Sequence, residues 1–119
     1  MKVLTLVRFR PGLDRDEAWR AWNEHTRRWD SRDHPEIRHT RLTLFASDES
    51  AAGGFDGMAL TEWSSEEAFR AGAAWYDTPE SAAHTADLAR FLQFDGMLTM
   101  VIEDAADIPG PPAEDSDSR

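Results

Sequence analysis

The chain has 119 residues, 40% apolar and 30% charged, enough for one domain around a single core. It contains no cysteine, which excludes disulfides and thiolate chemistry. Its formal net charge of -10 opposes binding to nucleic acid or to anionic membrane surfaces. The only lysine, Lys2, lies beside the N-terminus and is a poor Schiff-base candidate.

Residues 2–9 are β-branched and apolar on both alternating faces, with Val3, Val7 and Phe9 on one side and Leu4 and Leu6 on the other. They read as a strand that needs cover on both faces. Pro11-Gly12 breaks the chain, and Asp14 with Glu17 opens a helix over residues 14–30. At about 100° per residue, Trp22 and Trp29 centre its buried stripe, with Ala18 and His25 on one edge and Trp19 and Thr26 on the other. A second strand is expected over 37–46, with Ile37, His39, Arg41, Thr43 and Phe45 on one face and Leu42 and Leu44 on the other. A loop follows over 47–54, and a third strand over 55–63.

Ser64 and Glu67 form a capping box for a helix to about residue 74. Thr78-Pro79 restarts a helix to about residue 93, with Leu88, Phe91 and Leu92 on one face and His84 among them. Residues 96–103 read as the fourth strand. The expected units are a domain over 1–104 and an acidic, proline-rich, partly disordered tail over 105–119.

The order βαββαβ predicts a ferredoxin-like α+β fold, a four-stranded antiparallel sheet with helices on one face. Two helices cover one face only, and Ile108 of the tail can cover little of the other. The second face therefore predicts a homodimer packed sheet to sheet. No stretch reads as a signal peptide or a membrane span, so a cytoplasmic location is expected.

Arg10-Pro11-Gly12-Leu13 followed by Trp22-Asn23-Glu24-His25 resembles the EthD branch of the dimeric α+β barrel superfamily. Phe55-Asp56-Gly57 leading to Glu62-Trp63, and Asp87 with Phe91, continue the likeness over residues 2–103. Thr26-Arg27 stand where that branch usually has Ala-Pro, and His84 matches no motif position. Residues 61–70 also look like the small antibiotic-biosynthesis monooxygenases of the same superfamily. The resemblance implies a cavity between sheet and helices in each protomer. It also implies relatives that work without cofactors as isomerases, cyclases, dehydratases, decarboxylases or monooxygenases.

His25 is the foremost candidate for proton transfer, because imidazole titrates near neutrality and lies at the edge of the tryptophan stripe. The resemblance adds proton transfer by a histidine at this point of the helix. His84 is the second candidate, with Glu80 and Asp87 one turn away on either side to orient its ring. Asp87 is the third, with Arg90 three residues on as a salt-bridge partner. Each also has a structural reading, as a buried donor or a solvated charge.

Trp22, Trp29, Trp63, Phe69, Tyr76 and Phe91 are candidates for binding a flat apolar substrate, against the alternative of simple core packing. His39 and Arg41 either meet an anionic group or pair across the dimer. Asp56 serves the turn before the third strand. No metal site is expected, since His34 and His39 are separated across a proline and no His-x-x-x-His pair occurs. Haem through His84 is the rival cofactor, but none is expected, and flavin or nucleotide sites lack a glycine-rich loop. The expected function is cofactor-independent proton transfer on an aromatic or polyketide-like carbonyl compound. The alternatives are a cofactor-free monooxygenase and a dimer that binds a small molecule without converting it.

Overall fold

A computed structural model of the chain describes residues 1–46 and 53–112. Strands β1 (Lys2–Phe9), β2 (Ile37–Leu44), β3 (Gly57–Trp63) and β4 (Leu92–Ile102) form one sheet in the order β2-β3-β1-β4, and every pair is antiparallel. Among the described residues three α-helices of eight or more residues accompany it: α1 (Arg15–His25), α2 (Glu66–Trp75) and α3 (Ala82–Ala89). This is the ferredoxin-like arrangement that the alternation of strand and helix patterns predicts. Most of the expected loop at 47–54 and the end of the tail lie outside the described residues. Ile108 is 85% exposed and covers nothing.

Local chemistry sets the ends of the elements. The Asp14 carboxylate accepts the Glu17 amide at 3.1 Å and caps α1. Ser65, not Ser64, caps α2 by accepting the Ala68 amide, while Ser64 donates to the Glu36 carboxylate. Pro79 opens a 3₁₀ turn (Pro79–Ser81) leading into α3.

Three expectations are corrected. Helix α3 stops at Ala89; Phe91 lies in the turn that follows and Leu92 opens β4, both buried. Gly96 does not begin that strand. It takes φ +80° in a bulge opposite β1, where the Arg8 guanidinium donates to its carbonyl at 3.0 Å and fills the space a Cβ would need. In β2 the ladder slips between Ile37 and His39. Ile37 therefore turns to the helix side, apart from His39, Arg41 and Thr43.

The core lies between sheet and helices. Val7, Phe9, Ala18, Trp22, Phe91 and Leu92 form its buried cluster. Trp22 packs edge-on against Phe9 (6.1 Å) and Trp19 (5.8 Å). A Cβ on Gly57 would come within 3.0 Å of the Trp22 ring, so β3 approaches α1 closely only because that residue is glycine. Leu4, Leu6, Met58, Leu60, Leu98 and Met100 alternate onto the opposite face of the sheet, where Leu98 and Met100 are nearly half exposed.

Candidate functional site

The site begins where α1 ends. After His25 the chain takes one turn of π-helix (Thr26–Asp30) and a short turn (Ser31–Asp33) before β2. In an α-helix, residue i+5 points about 140° away from residue i. The wider π turn brings the two onto one side. Asp30 Oδ1 thus comes to 3.8 Å from His25 Nε2. The same widening takes Trp29 out of the stripe expected for a continuous α-helix. It lies flat against the His25 ring (6.2 Å, 11°), with the Arg32 guanidinium 4.3 Å above its ring.

Helix α3 brings His84 and Asp87 to the same place, both packed against α1. Asp87 holds His25 rather than its own neighbour: His25 Nδ1–H donates to Asp87 Oδ2 at 2.7 Å. Arg90 Nη2 anchors the other Asp87 oxygen at 2.8 Å. His84 Nδ1–H donates to Asp33 Oδ2 at 2.9 Å, and Glu80 takes no part.

With both Nδ1 atoms donating to carboxylates, each neutral ring presents a bare lone pair at Nε2. Those two Nε2 atoms face each other at 3.1 Å. Asp30 Oδ1 lies 3.5 Å from the second, closing a triangle of three acceptors. Tyr76 Oη, 3.1 Å from His84 Nε2 and 2.8 Å from His34 Nε2, adds one donor on the outer side. Three lone pairs at these separations repel unless a cation sits among them, and the smallest such cation is one proton.

Electrostatics favour Asp30 over the His25 ring as the holder of that proton. Burial, then the nearby Asp33 charge, raises the Asp30 pKa to about 7. Burial lowers the pKa of His25 against the Asp87 hydrogen bond. For Asp87, burial is outweighed by hydrogen bonds from His25 and Arg90, and the carboxyl stays ionised below its ordinary range. Burial lowers His34 to about 4 and raises Tyr76, so near neutrality the first is neutral and the second keeps its hydroxyl proton.

A raised carboxyl pKa means that Asp30 supports folding fully below pH 3.8 and loses that support as pH rises towards 7. Asp30→Asn is therefore expected to stabilise the fold at pH 8, by several degrees in Tm, and to change it little at pH 4. Thermal melts at the two pH values check this. An equal effect at both would refute the buried-acid assignment.

A cavity of about 640 Å³ opens between sheet and helices. Trp63, Phe69, Tyr76 and Leu88 supply an apolar wall, and Asp30 and His34 supply polar groups. Gly72 on α2 makes room for the Trp63 ring, which a Cβ there would meet at 2.6 Å. A second cavity of about 360 Å³, lined by Asn23, Arg27, Arg38 and His39, meets the first at Asp30, His34 and Ile37. Arg41 lines neither cavity. Asp56 sits before β3, and its carboxylate accepts the Phe9 amide at 2.7 Å.

The structure therefore brings His25, His84 and Asp87 together, and places Trp63, Phe69 and Tyr76 on the larger cavity wall. His25 and His84 are 2% and 0% exposed and lie behind Asp30 and Tyr76 rather than on the cavity surface. Trp22 and Phe91 belong to the core cluster, and Trp29 backs the His25 ring. Asp30, Asp33 and His34 were not among the expected site residues: Asp30 closed the expected helix on the side away from His25, His34 was weighed only as a metal partner of His39, and Asp33 lay in a polar run that reads as a linker.

Fold and site together define a ferredoxin-like α+β protein with a buried pair of histidines beside an apolar cavity. No protein-family model matches the chain, and no curated protein matches it in sequence. Solved structures do share the fold. The Arabidopsis thaliana protein At3g17210 superposes with a TM-score of 0.60 at 14% identity, covering 91% of this chain and 98% of that one. SnoaB, a cofactor-independent oxygenase from Streptomyces nogalater, gives 0.58 at 16% identity over 92% and 98%. A dimeric ferredoxin-like protein of unknown function from Thermobifida fusca gives 0.52 at 20% identity over 83% and 85%. At these identities the likeness is one of fold. No helix among the described residues is long and apolar enough to cross a membrane.

Proposed function

We propose that the chain is a cofactor-independent enzyme that moves a proton on an aromatic or polyketide-like carbonyl compound bound in the 640 Å³ cavity. One observation carries the reading: His25 Nε2 and His84 Nε2 face each other at 3.1 Å with both Nδ1 atoms committed to carboxylates. Such a pair takes up one proton beyond the neutral tautomers between its two lone pairs, and because burial disfavours the charged ring it gives that proton back readily, as a general acid–base group must. Asp30 is the member of the triangle that reaches the cavity. Above the Asp30 pKa of about 7 the triangle has given up its proton: the Asp30 carboxylate then takes the proton from the carbon next to the substrate carbonyl, the C–H pair forms the enolate C=C as the carbonyl π pair moves onto oxygen, and the proton is shared with the histidine pair. Return of that proton at another carbon completes an isomerisation; its delivery to a departing hydroxyl, which leaves as water, completes a dehydration; and attack of the enolate carbon on a second carbonyl, whose oxygen takes the proton, completes a cyclisation. Tyr76, kept protonated by its surroundings, lies on the cavity wall as a donor for the enolate oxygen.

The second reading follows from the same enolate. SnoaB, which shares the fold, is a cofactor-independent oxygenase. An enolate open to dissolved oxygen reacts as a carbanion and consumes it. We place the chain in the EthD branch on the motifs quoted above. We also assign it a homodimer joined through the bare sheet face, whose Leu4, Leu6, Met58, Leu60, Leu98 and Met100 need cover. Light scattering at micromolar concentration checks the dimer, and a stable monomer would refute it.

The functional test is a titration with aromatic polyketide-type carbonyl compounds, followed by tryptophan fluorescence, without added flavin or metal. Bound compounds are then held in D₂O. Exchange of the acidic C–H for deuterium is expected, with oxygen uptake as the mark of the second reading. Saturable quenching with neither exchange nor oxygen uptake would replace both readings with a binding protein.

A further inference from the structure

We infer that the triangle of His25 Nε2, His84 Nε2 and Asp30 Oδ1 is also a binding site for one divalent d-block ion of the zinc type. The three donor atoms are 3.1, 3.5 and 3.8 Å apart. A tetrahedral ion about 2.0–2.1 Å from each ligand holds its ligands about 3.3 Å apart, so shifts of a few tenths of an ångström complete the set. Two imidazoles and one carboxylate form a donor set that suits zinc, iron, cobalt or copper and does not suit magnesium or calcium.

The outer contacts strengthen the assignment. A metal-binding histidine ordinarily donates its other ring N–H to a carboxylate or carbonyl, which fixes the tautomer and raises the basicity of the ligating nitrogen. Here both rings do so, His25 to Asp87 at 2.7 Å and His84 to Asp33 at 2.9 Å. Asp87 is further held by Arg90 and Asp33 by Arg32. Both Nε2 atoms therefore face each other with their Nδ1–H groups committed elsewhere, and Tyr76 Oη, 3.1 Å from His84 Nε2, keeps His34 as its partner when an ion takes the lone pair. Asp30 faces both cavities, and this leaves the fourth position of the ion open to solvent or ligand.

No sequence spacing announces this site, because its ligands come from the end of α1, from a π turn and from α3. The ion and the shared proton use the same lone pairs, so each excludes the other. Ion binding at these three groups needs no turnover, so it is read separately from proton transfer.

The chelator-treated full chain is titrated with Co²⁺ and followed by visible absorption. A d–d band saturating at one ion per chain is expected, displaced by Zn²⁺ and untouched by millimolar Mg²⁺. The band should be lost in His25→Gln and in His84→Gln. Asp87→Asn should weaken binding about 10–100-fold while the band keeps its shape. In the unaltered chain, Zn²⁺ should shift the imidazole ¹⁵N resonances of His25 and His84 and leave that of exposed His39 in place, a readout that needs no variant to fold. No band, or a band that survives both histidine replacements, overturns the proposal, as do unshifted His25 and His84 resonances. If the band forms while C–H exchange is absent, the metal site stands and the catalytic reading falls.

Discussion

C–H exchange on a bound carbonyl compound is expected to fall by about 10²–10⁴-fold in His84→Gln, equally far in His25→Gln, and no further in the double variant. The equality follows from the geometry. Neither ring stores the proton alone, since each Nε2 needs the other, 3.1 Å away, as its acceptor. Removing either one leaves a single neutral imidazole whose Nδ1–H is already given to a carboxylate. Glutamine preserves most of the volume, so the core around Phe91 and Trp29 stays filled. Ligand binding, read from tryptophan quenching, should change little, because both rings lie behind Asp30 and Tyr76. Additive losses in the double variant would mean that the two histidines act separately, and the shared-proton mechanism would fail.

Unfolding by urea should show Trp22→Ala to be about 3–5 kcal/mol less stable than the wild type, with an unchanged m-value. Trp22 is 3% exposed and wedged among Phe9, Trp19 and the close approach of Gly57, so no neighbour can collapse into the space it leaves. A loss of that size is a large share of the total stability of a small domain. Trp63→Ala provides the contrast. Its ring already borders the 640 Å³ cavity, so removing it enlarges an existing space. The stability cost should be well below that of Trp22→Ala, while ligand quenching weakens strongly. A cost under about 1 kcal/mol for Trp22→Ala would show that the ring is not the core element described.

Much of the architecture was legible from side-chain periodicity. Alternation in β1 separated Val3, Val7 and Phe9 from Leu4 and Leu6, and the pairing registers place the two sets on opposite faces of the sheet. Element ends were less legible. A helix pattern running through Phe91 and Leu92 hid the start of β4, since a short apolar run suits either structure. The same ambiguity covered the bulge at Gly96, which depends on where the Arg8 side chain goes.

The candidate site divides along the same line. His25, His84 and Asp87 stood out as titratable residues on apolar helix faces, and the fold brings them within hydrogen-bonding distance. Their partners did not stand out. Local spacing offered Asp87 or Glu80 to His84. The crossing of α1 and α3 instead gives Asp87 to His25, and Asp33 reaches His84 from the turn before β2. Asp30 was hidden because a wheel drawn at 100° per residue turns it away from His25, and one π turn reverses that.

The sequence by itself determined the order of strands and helices, the faces they bury and the absence of thiol chemistry, because these follow from local periodicity and composition. Only the tertiary structure decided which carboxylate meets which imidazole, and which aromatic rings line a cavity rather than fill the core. Those outcomes depend on ångström-scale distances between segments some 60 residues apart, set by helix crossing and one irregular turn, and no local pattern encodes them.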